Sequence, residues 1–134
     1  MTLKELSQLY YLNREIEKDQ ERLRSLRSRL SNPGTANCDG MPKNLSGENR
    51  FERCITEIID LESIIQDKVA RCIREQYKLE RYISSIPDSL TRQIFTLRFV
   101  NGLSWLQVAF SIGGGNTEQS VKMVCYRYIK NNKN

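Results

Sequence analysis

Residues 97–130 have the sequence LRFVNGLSWLQVAFSIGGGNTEQSVKMVCYRYIK, and this stretch predicts two short helices joined by a glycine turn. Ser104 begins a Ser-x-x-Gln capping box, so we expect a helix to start there. The three glycines at 113–115 interrupt that helix. Asn116 or Thr117 then caps the helix that follows. Two short helices around such a turn indicate a helix-turn-helix.

The last helix, expected over about 117–130, has an apolar side and a polar side. Apolar residues at steps of three and four face the core of such a helix, and here they are Val121, Val124, Cys125, Tyr128 and Ile129. The other positions face outward. In a recognition helix the first turns reach base edges, whereas cations further along hold phosphates.

We therefore expect a DNA-binding surface on the outward side of this helix. Carboxylate, amide, hydroxyl and ammonium groups match the hydrogen-bonding pattern of base edges, and the base-reading candidates are Glu118, Gln119, Ser120 and Lys122. Arg127 and Lys130 are expected on phosphates. The hydroxyl and backbone N–H groups at Ser104 offer another phosphate contact. The full predicted set is Ser104, Thr117, Glu118, Gln119, Ser120, Lys122, Tyr126, Arg127 and Lys130.

The positive charge of the chain is concentrated in its last third. Residues 1–87 contain fifteen basic and fourteen acidic side chains, whereas residues 88–134 contain six basic and two acidic ones. A basic face gains affinity for DNA because its binding releases counterions from the phosphates. The excess charge thus falls on the segment that carries the predicted helix-turn-helix.

Upstream of that motif, the sequence predicts one more short helix. Asp88 with Ser89 has the chemistry of a helix cap, and the helix should run through Val100 to the Asn-Gly pair that follows. The single tryptophan, Trp105, is expected in the core. These elements make residues 88–134 a separate predicted module.

The first 87 residues predict two long helices. Residues 2–30 contain no Gly or Pro, and Leu or Ile recurs there at steps of three and four. A mobile loop is expected over about 32–47, where Pro, Gly and Asn disfavour helix. A second helix is expected over about 48–85, with Phe51 and Val69 among its inward positions.

Two such helices predict an antiparallel, coiled-coil-like hairpin, so the expected fold is all-α, with the hairpin over 1–87 and the module over 88–134. The apolar stripe of the second helix is wider than a two-stranded seam needs. It therefore indicates a further partner, either the carboxy-terminal part of the chain or another copy.

We expect no enzyme activity, metal or cofactor. His is absent, which excludes a histidine base or a Ser-His relay. The four cysteines are far apart, unlike zinc-binding spacings, so we expect reduced thiols. No apolar run approaches the roughly 20 residues that span a bilayer, and the amino terminus lacks a signal-peptide core. A cytoplasmic protein that does not contact membranes is the expectation.

The segment from Leu97 to Ala109 resembles the helix-turn-helix of sigma factor region four. The likeness lies in a helix that ends near Gly and a Ser-led helix with a Val-Ala step. Residues 112–121 are similar to that family's turn, here enlarged, before a basic recognition helix. The whole chain resembles phage- and prophage-encoded proteins of Gram-positive bacteria, in which a helical hairpin with a variable loop precedes such a module.

This resemblance implies a transcriptional regulator in a bacterial host cell. The chain shows no counterpart of the sigma region that opens promoter DNA, so an accessory DNA binder is implied rather than a complete sigma factor. On this hypothesis the module binds double-stranded DNA, while the hairpin forms a homodimer or contacts RNA polymerase. The alternatives are a protein–protein module that binds RNA polymerase or a host factor without reading DNA, and a DNA-packaging adaptor.

Overall fold

The computed structural model describes residues 1–31 and 47–132, and no strand occurs in them, which confirms the all-α class. The predicted loop over about 32–47 lies outside the described residues, apart from the Gly47 that begins a helix. None of the described helices is long and apolar enough to cross a bilayer. The helices are α1 (Leu3–Leu6), α2 (Gln8–Ser31), α3 (Gly47–Ser84), α4 (Ser89–Phe95), a π-helical turn (Thr96–Val100), α5 (Trp105–Ile112) and α6 (Glu118–Asn131).

The amino-terminal helix, predicted as one piece over 2–30, is divided at Ser7. The short helix α1 begins with a capping box, in which the Thr2 hydroxyl accepts a hydrogen bond from the Glu5 N–H at 3.3 Å. The Glu5 carboxylate accepts one from the Thr2 N–H at 2.8 Å. Hydrogen bonds from the Thr2 N–H and the Thr2 hydroxyl to the Glu5 carboxylate lower the pKa of this carboxyl. Ser7 ends α1, and α2 begins at the next residue.

The described residues between 14 and 70 form one compact unit, in which the segments of α2 and α3 run antiparallel. The Lys68 ammonium lies 2.6 Å from the Asp19 carboxylate, whereas the Cys54 thiol donates to the Leu26 carbonyl at 3.5 Å. Late residues of α2 therefore meet early residues of α3. The core of this unit consists of Leu23, Leu26, Ile58, Leu61 and Ile65.

Two positions of α3 that the stripe predicts to face inward are exposed. They are Phe51 and Val69. Both lie at the edge of the buried face of α3 rather than at its centre, because successive helical residues turn by about 100°. Asp19, the polar residue within the stripe of α2, is placed beside Lys68 and forms an ion pair there.

Residues 1–13 form a second compact unit with the described residues from Arg71 onward. In this unit α4, α5 and α6 pack against one another. Its fully buried side chains include Leu6, Ile86, Ile94, Phe95, Val108, Val121 and Cys125. The aromatic rings of Phe99 and Tyr128 both meet Phe95 edge to face, at centroid distances of 5.3 and 5.5 Å.

Local signals set the ends of the short helices in this unit. The Asp88 carboxylate caps α4 by accepting hydrogen bonds from the backbone and hydroxyl of Thr91. The helix does not continue as a regular α-helix to Val100, because its last turn is widened so that the Asn101 N–H bonds to the Thr96 carbonyl. The Thr96 hydroxyl also donates to a carbonyl four residues back, a contact that tends to bend helices.

Candidate nucleic-acid interface

Helix α6 is held in place by a cap at its start and by a buried stripe along one side. The Thr117 hydroxyl accepts from the Ser120 N–H at 3.1 Å, and the Ser120 hydroxyl accepts from the Thr117 N–H at 2.9 Å. Val121, Cys125 and Ile129 follow at intervals of four and are buried. Residues at this spacing share one face of a helix, so the opposite face is left to solvent.

The outward face of α6 is polar and mostly exposed. Gln119 and Arg127 lie eight residues apart on this side, and Lys130 continues it towards the end of the helix. Met123 and Tyr126 lie between them and expose 47% and 43% of their surface. A helix face of this kind offers hydrogen-bonding groups, cations and two large side chains to a flat or grooved partner.

The other predicted α6 residues lie around its first turns. Glu118 is exposed in the first turn, where the helix dipole favours a carboxylate. Lys122 is half-buried, at the boundary between the packed and the outward side. No hydrogen bond or ion pair of the described chain occupies Lys122, Arg127 or Lys130. Their charges are therefore available to an anionic partner.

Two of the six basic residues in the last third of the chain are not available to a partner in this way, because they donate hydrogen bonds within the fold. The Arg92 guanidinium donates to the carbonyls of Ile86 and Pro87 at 2.8 and 3.1 Å. The Arg98 guanidinium donates to the Leu103 carbonyl at 2.9 Å. A sixth cation, at position 133, lies outside the described residues. Among residues 88–132, the cations that remain open to a partner therefore lie on α6.

Ser104 and Ser120, the two serines of the predicted DNA-binding set, both take part in helix caps. Ser104 opens α5, where its hydroxyl accepts from the Gln107 N–H at 3.2 Å and its own N–H donates to the Gln107 amide oxygen at 2.9 Å. The Ser120 hydroxyl, besides accepting from Thr117, donates to the Thr117 carbonyl at 2.9 Å. Since a hydroxyl has one proton to donate, Ser120 must break this bond before it can donate to a base.

An aromatic contact fixes α6 against α5. The Trp105 indole, buried as predicted, meets the Tyr126 ring edge to face at a centroid distance of 5.9 Å. The Arg98 guanidinium lies over the same indole at 4.6 Å. Tyr126 is thus both a partner of the core tryptophan and part of the outward face. No hydrogen bond or ion pair within the described chain joins Ser104 to α6.

Next to Ser104 the second unit has a shallow cleft of about 310 Å³. Its walls include Tyr10 and Tyr11, whose rings meet edge to face at 5.5 Å, and the side chain of Arg98. Gln107 also lines it. The volume is at the small end of ligand pockets, and the cleft is open to solvent.

The thiols of the described chain are structural. Cys54, Cys72 and Cys125 are all free, and Cys125 is fully buried on the packed side of α6. Burial raises the pKa of the Cys125 thiol to about 12, so it stays protonated and unreactive at neutral pH. Among the described residues no three His, Cys, Asp or Glu side chains are arranged to hold a metal ion.

Met123 is exposed on the outward face of α6, as its interval of four from both Gln119 and Arg127 predicts. Sequence reasoning missed one feature of this region. Phe110 is 90% exposed on α5, with exposed Leu106 one turn before it. No motif marks that pair as exposed, because apolar residues at an interval of four usually face a core.

We compared the chain with protein-family models, curated proteins and solved structures, and none of them matches it. What this surface binds is therefore inferred from its own geometry and chemistry.

Proposed function

We propose that residues 88–132 bind double-stranded DNA with α6 in the major groove, as the DNA-binding part of a transcriptional regulator. The observation that carries this proposal is the outward face of α6, which combines a polar first turn with unpaired cations at Lys122, Arg127 and Lys130. An α-helix fits the width of the major groove. Because the opposite side of α6 is buried against the rest of the unit, this face points to solvent.

The contacts divide between affinity and sequence reading. Arg127 and Lys130, on the last two turns, supply phosphate contacts that do not depend on base sequence. Gln119 in the first turn is exposed and supplies a bidentate amide for an adenine edge. Glu118 beside it is an acceptor for a cytosine amino group. The sigma-like resemblance, the phage origin and the action in a bacterial cytoplasm are parts of the same proposal.

Fluorescence anisotropy with labelled random-sequence duplex DNA tests the proposal. We expect binding whose affinity falls steeply as salt rises, because phosphate contacts release counterions. In a Lys122→Ala/Arg127→Ala variant the slope of log affinity against log salt should become shallower by about 2, at about 0.9 for each lost contact.

The matched control is Lys18→Ala/Arg22→Ala, which removes the same charge from exposed positions of α2. If both double variants lose affinity equally, the effect comes from net charge and not from α6. If the wild-type chain fails to bind DNA at low salt, the proposal is wrong.

The exposed pair Leu106 and Phe110 favours a second candidate, a surface that docks on a protein such as RNA polymerase. Contiguous exposed apolar side chains are typical of surfaces that bind other proteins. A Phe110→Ser variant should keep its affinity for duplex DNA and lose capture of purified RNA polymerase. Equal capture by wild type and variant would remove this candidate.

A further inference from the structure

Helix α3 has a second apolar side that no described residue covers. Its buried side carries residues such as Leu61 and Leu79. Ile59, Ile73 and Tyr77 instead expose 60%, 65% and 62% of their surface. Their intervals of 14 and 4 place them on one side of the helix. Since all three belong to one helix, this follows from helical geometry alone, and the stripe is about 27 Å long at 1.5 Å per residue.

The charges along α3 change sign near the middle of this stripe. Residues 57–67 contain four acidic side chains and no basic one. Residues 71–81 contain four basic side chains, at Arg71, Arg74, Lys78 and Arg81, and two acidic ones. The helix therefore has an acidic half and a basic half.

One edge of the exposed stripe shows this polarity most clearly. Positions 60, 67, 74 and 81 are seven residues apart, so they follow one line along the helix, and they are occupied by Asp, Asp, Arg and Arg. In the described part of the chain no ion pair engages Asp60, Asp67 or Arg74. Arg81 lies over the Tyr77 ring at 5.8 Å, which extends the stripe to that end.

We propose that this face of α3 binds the same face of a second copy of the chain, with the two helices antiparallel. A two-fold axis near residue 69 brings Asp60 and Asp67 of one helix alongside the basic half of the other, and the reverse contact follows by symmetry. Ile59 of one copy then lies within one helical turn of the level of Tyr77 in its partner. A parallel pair would instead align acidic half with acidic half and basic half with basic half.

This inference goes beyond DNA binding and does not depend on it. The free energy of pairing comes from burial of the apolar stripe, while the charges select the orientation. Interfaces of this kind are isologous, which means that each residue contributes twice. A single substitution therefore removes two contacts from the dimer.

Sedimentation equilibrium of the full chain over a range of concentrations tests the pairing. We expect a reversible monomer–dimer equilibrium, and a rise in the dimer dissociation constant on the order of tenfold or more in Ile73→Asp. Ile59→Ser, which removes apolar area without adding charge, should weaken the dimer less. Circular dichroism checks that both variants remain helical. A wild-type chain that is monomeric at every concentration overturns the proposal.

Charge reversal tests the role of the polarity. Asp60→Lys/Asp67→Lys places like charges across the interface and should weaken the dimer about tenfold or more at low salt. Adding Arg74→Glu/Lys78→Glu to the same chain places carboxylates in the half that faces the new lysines and should restore part of the dimer affinity. Failure of the fourfold variant to recover, while remaining helical, would contradict charge complementarity.

Cysteine cross-linking tests the orientation. A cysteine at Ala70, close to the axis, should form a disulfide-linked dimer on mild oxidation. A cysteine at Thr56 should not, because the two copies of that position lie about 39 Å apart in an antiparallel pair. Equal cross-linking at both positions would show a parallel pair and overturn the proposed orientation. The wild-type chain, with its own cysteines, is the control for background oxidation.

Discussion

The guanidinium of Arg98 lies 4.6 Å from the centre of the Trp105 ring, while the same group donates a hydrogen bond to the Leu103 carbonyl at 2.9 Å. One side chain thus joins the π-helical turn to the start of α5. Trp105 in turn contacts Tyr126 of α6. The Arg98 cation therefore supports the angle at which the outward face of α6 is presented.

Replacing Arg98 tests this support. Arg98→Ala should lower the free energy of unfolding by about 2 kcal/mol, because it removes a cation–π contact and a charge-assisted hydrogen bond. Arg98→Lys keeps the charge but loses the planar stack, so an intermediate loss is expected. Urea unfolding followed by the fluorescence of the single tryptophan measures both. Unchanged stability in the alanine variant would show that the stack adds nothing.

Gln119 and Arg127 should differ in how they affect DNA binding. Once a preferred site has been selected from a random library, Gln119→Ala should weaken binding to that site about tenfold, since a good base contact is worth about 1–3 kcal/mol. Its affinity for random DNA should not change. Arg127→Gln should weaken both and reduce the salt slope by about 0.9. Salt titrations by anisotropy separate the two effects; identical behaviour of the variants would contradict the division of roles.

In the second compact unit, Tyr82 has a buried hydroxyl that makes no hydrogen bond with the described residues. Burial raises the pKa of this phenol. Its ring packs against Phe95 at a centroid distance of 6.4 Å. Tyr82→Phe keeps this packing and removes the unsatisfied oxygen, so it should raise the free energy of unfolding by about 1 kcal/mol.

Thermal unfolding of the Tyr82→Phe variant measures this gain. Tyr128→Phe is the matched control, because Tyr128 also packs against Phe95 but its hydroxyl is not among the buried unpaired atoms. That control should change stability little. A loss of stability in Tyr82→Phe would reveal a partner for the hydroxyl.

The cap at Asp88 makes part of the stability dependent on acid pH. Hydrogen bonds from the hydroxyl and the N–H of Thr91 lower the pKa of the Asp88 carboxyl below its usual 3.8. A carboxyl with a lowered folded-state pKa stabilises the fold above its unfolded-state value, and this contribution is lost as the pH falls below that value towards the folded-state pKa. Stability should therefore decline below about pH 4.

Asp88→Asn tests the source of that decline. Asparagine keeps a capping oxygen but does not titrate, so the variant should lose less stability than wild type between neutral pH and about pH 2.5. Urea midpoints measured across this pH range provide the comparison. Parallel profiles for the two chains would place the acid sensitivity elsewhere, for example at Glu5, whose pKa is also lowered.

Local sequence signals predicted most of the helix boundaries. Asp88, Ser104 and Thr117 each cap the helix that follows, as their side chains and the spacing to their partners indicate. Gly113, with a φ of +68°, ends α5, because this left-handed region is open mainly to glycine. Capping depends on residues within one turn of each other, which is why sequence alone is enough.

The sequence predicted the buried side of α6 correctly. It predicted the buried side of α3 less well, because the apolar stripe of that helix is wide. The intervals of Val121, Cys125 and Ile129 correctly indicated the packed side of α6. On α3 the same rhythm also selected Phe51 and Val69, which are exposed. A wide stripe shows that a helix has much apolar surface, but it does not show which part of that surface a neighbouring helix covers.

The sequence by itself therefore determined the all-α class, the capped helix ends and the concentration of positive charge after position 88. The structure decided which cations remain available, because Arg92 and Arg98 donate to carbonyls five or six residues away, across turns of the chain whose geometry the sequence does not reveal. It likewise decided that Phe110 is exposed while Trp105 is buried. The physical reason is that capping and periodicity depend on the regular geometry within one helix, whereas burial depends on how separate helices pack, and the guanidinium contacts depend on how the chain turns between helices.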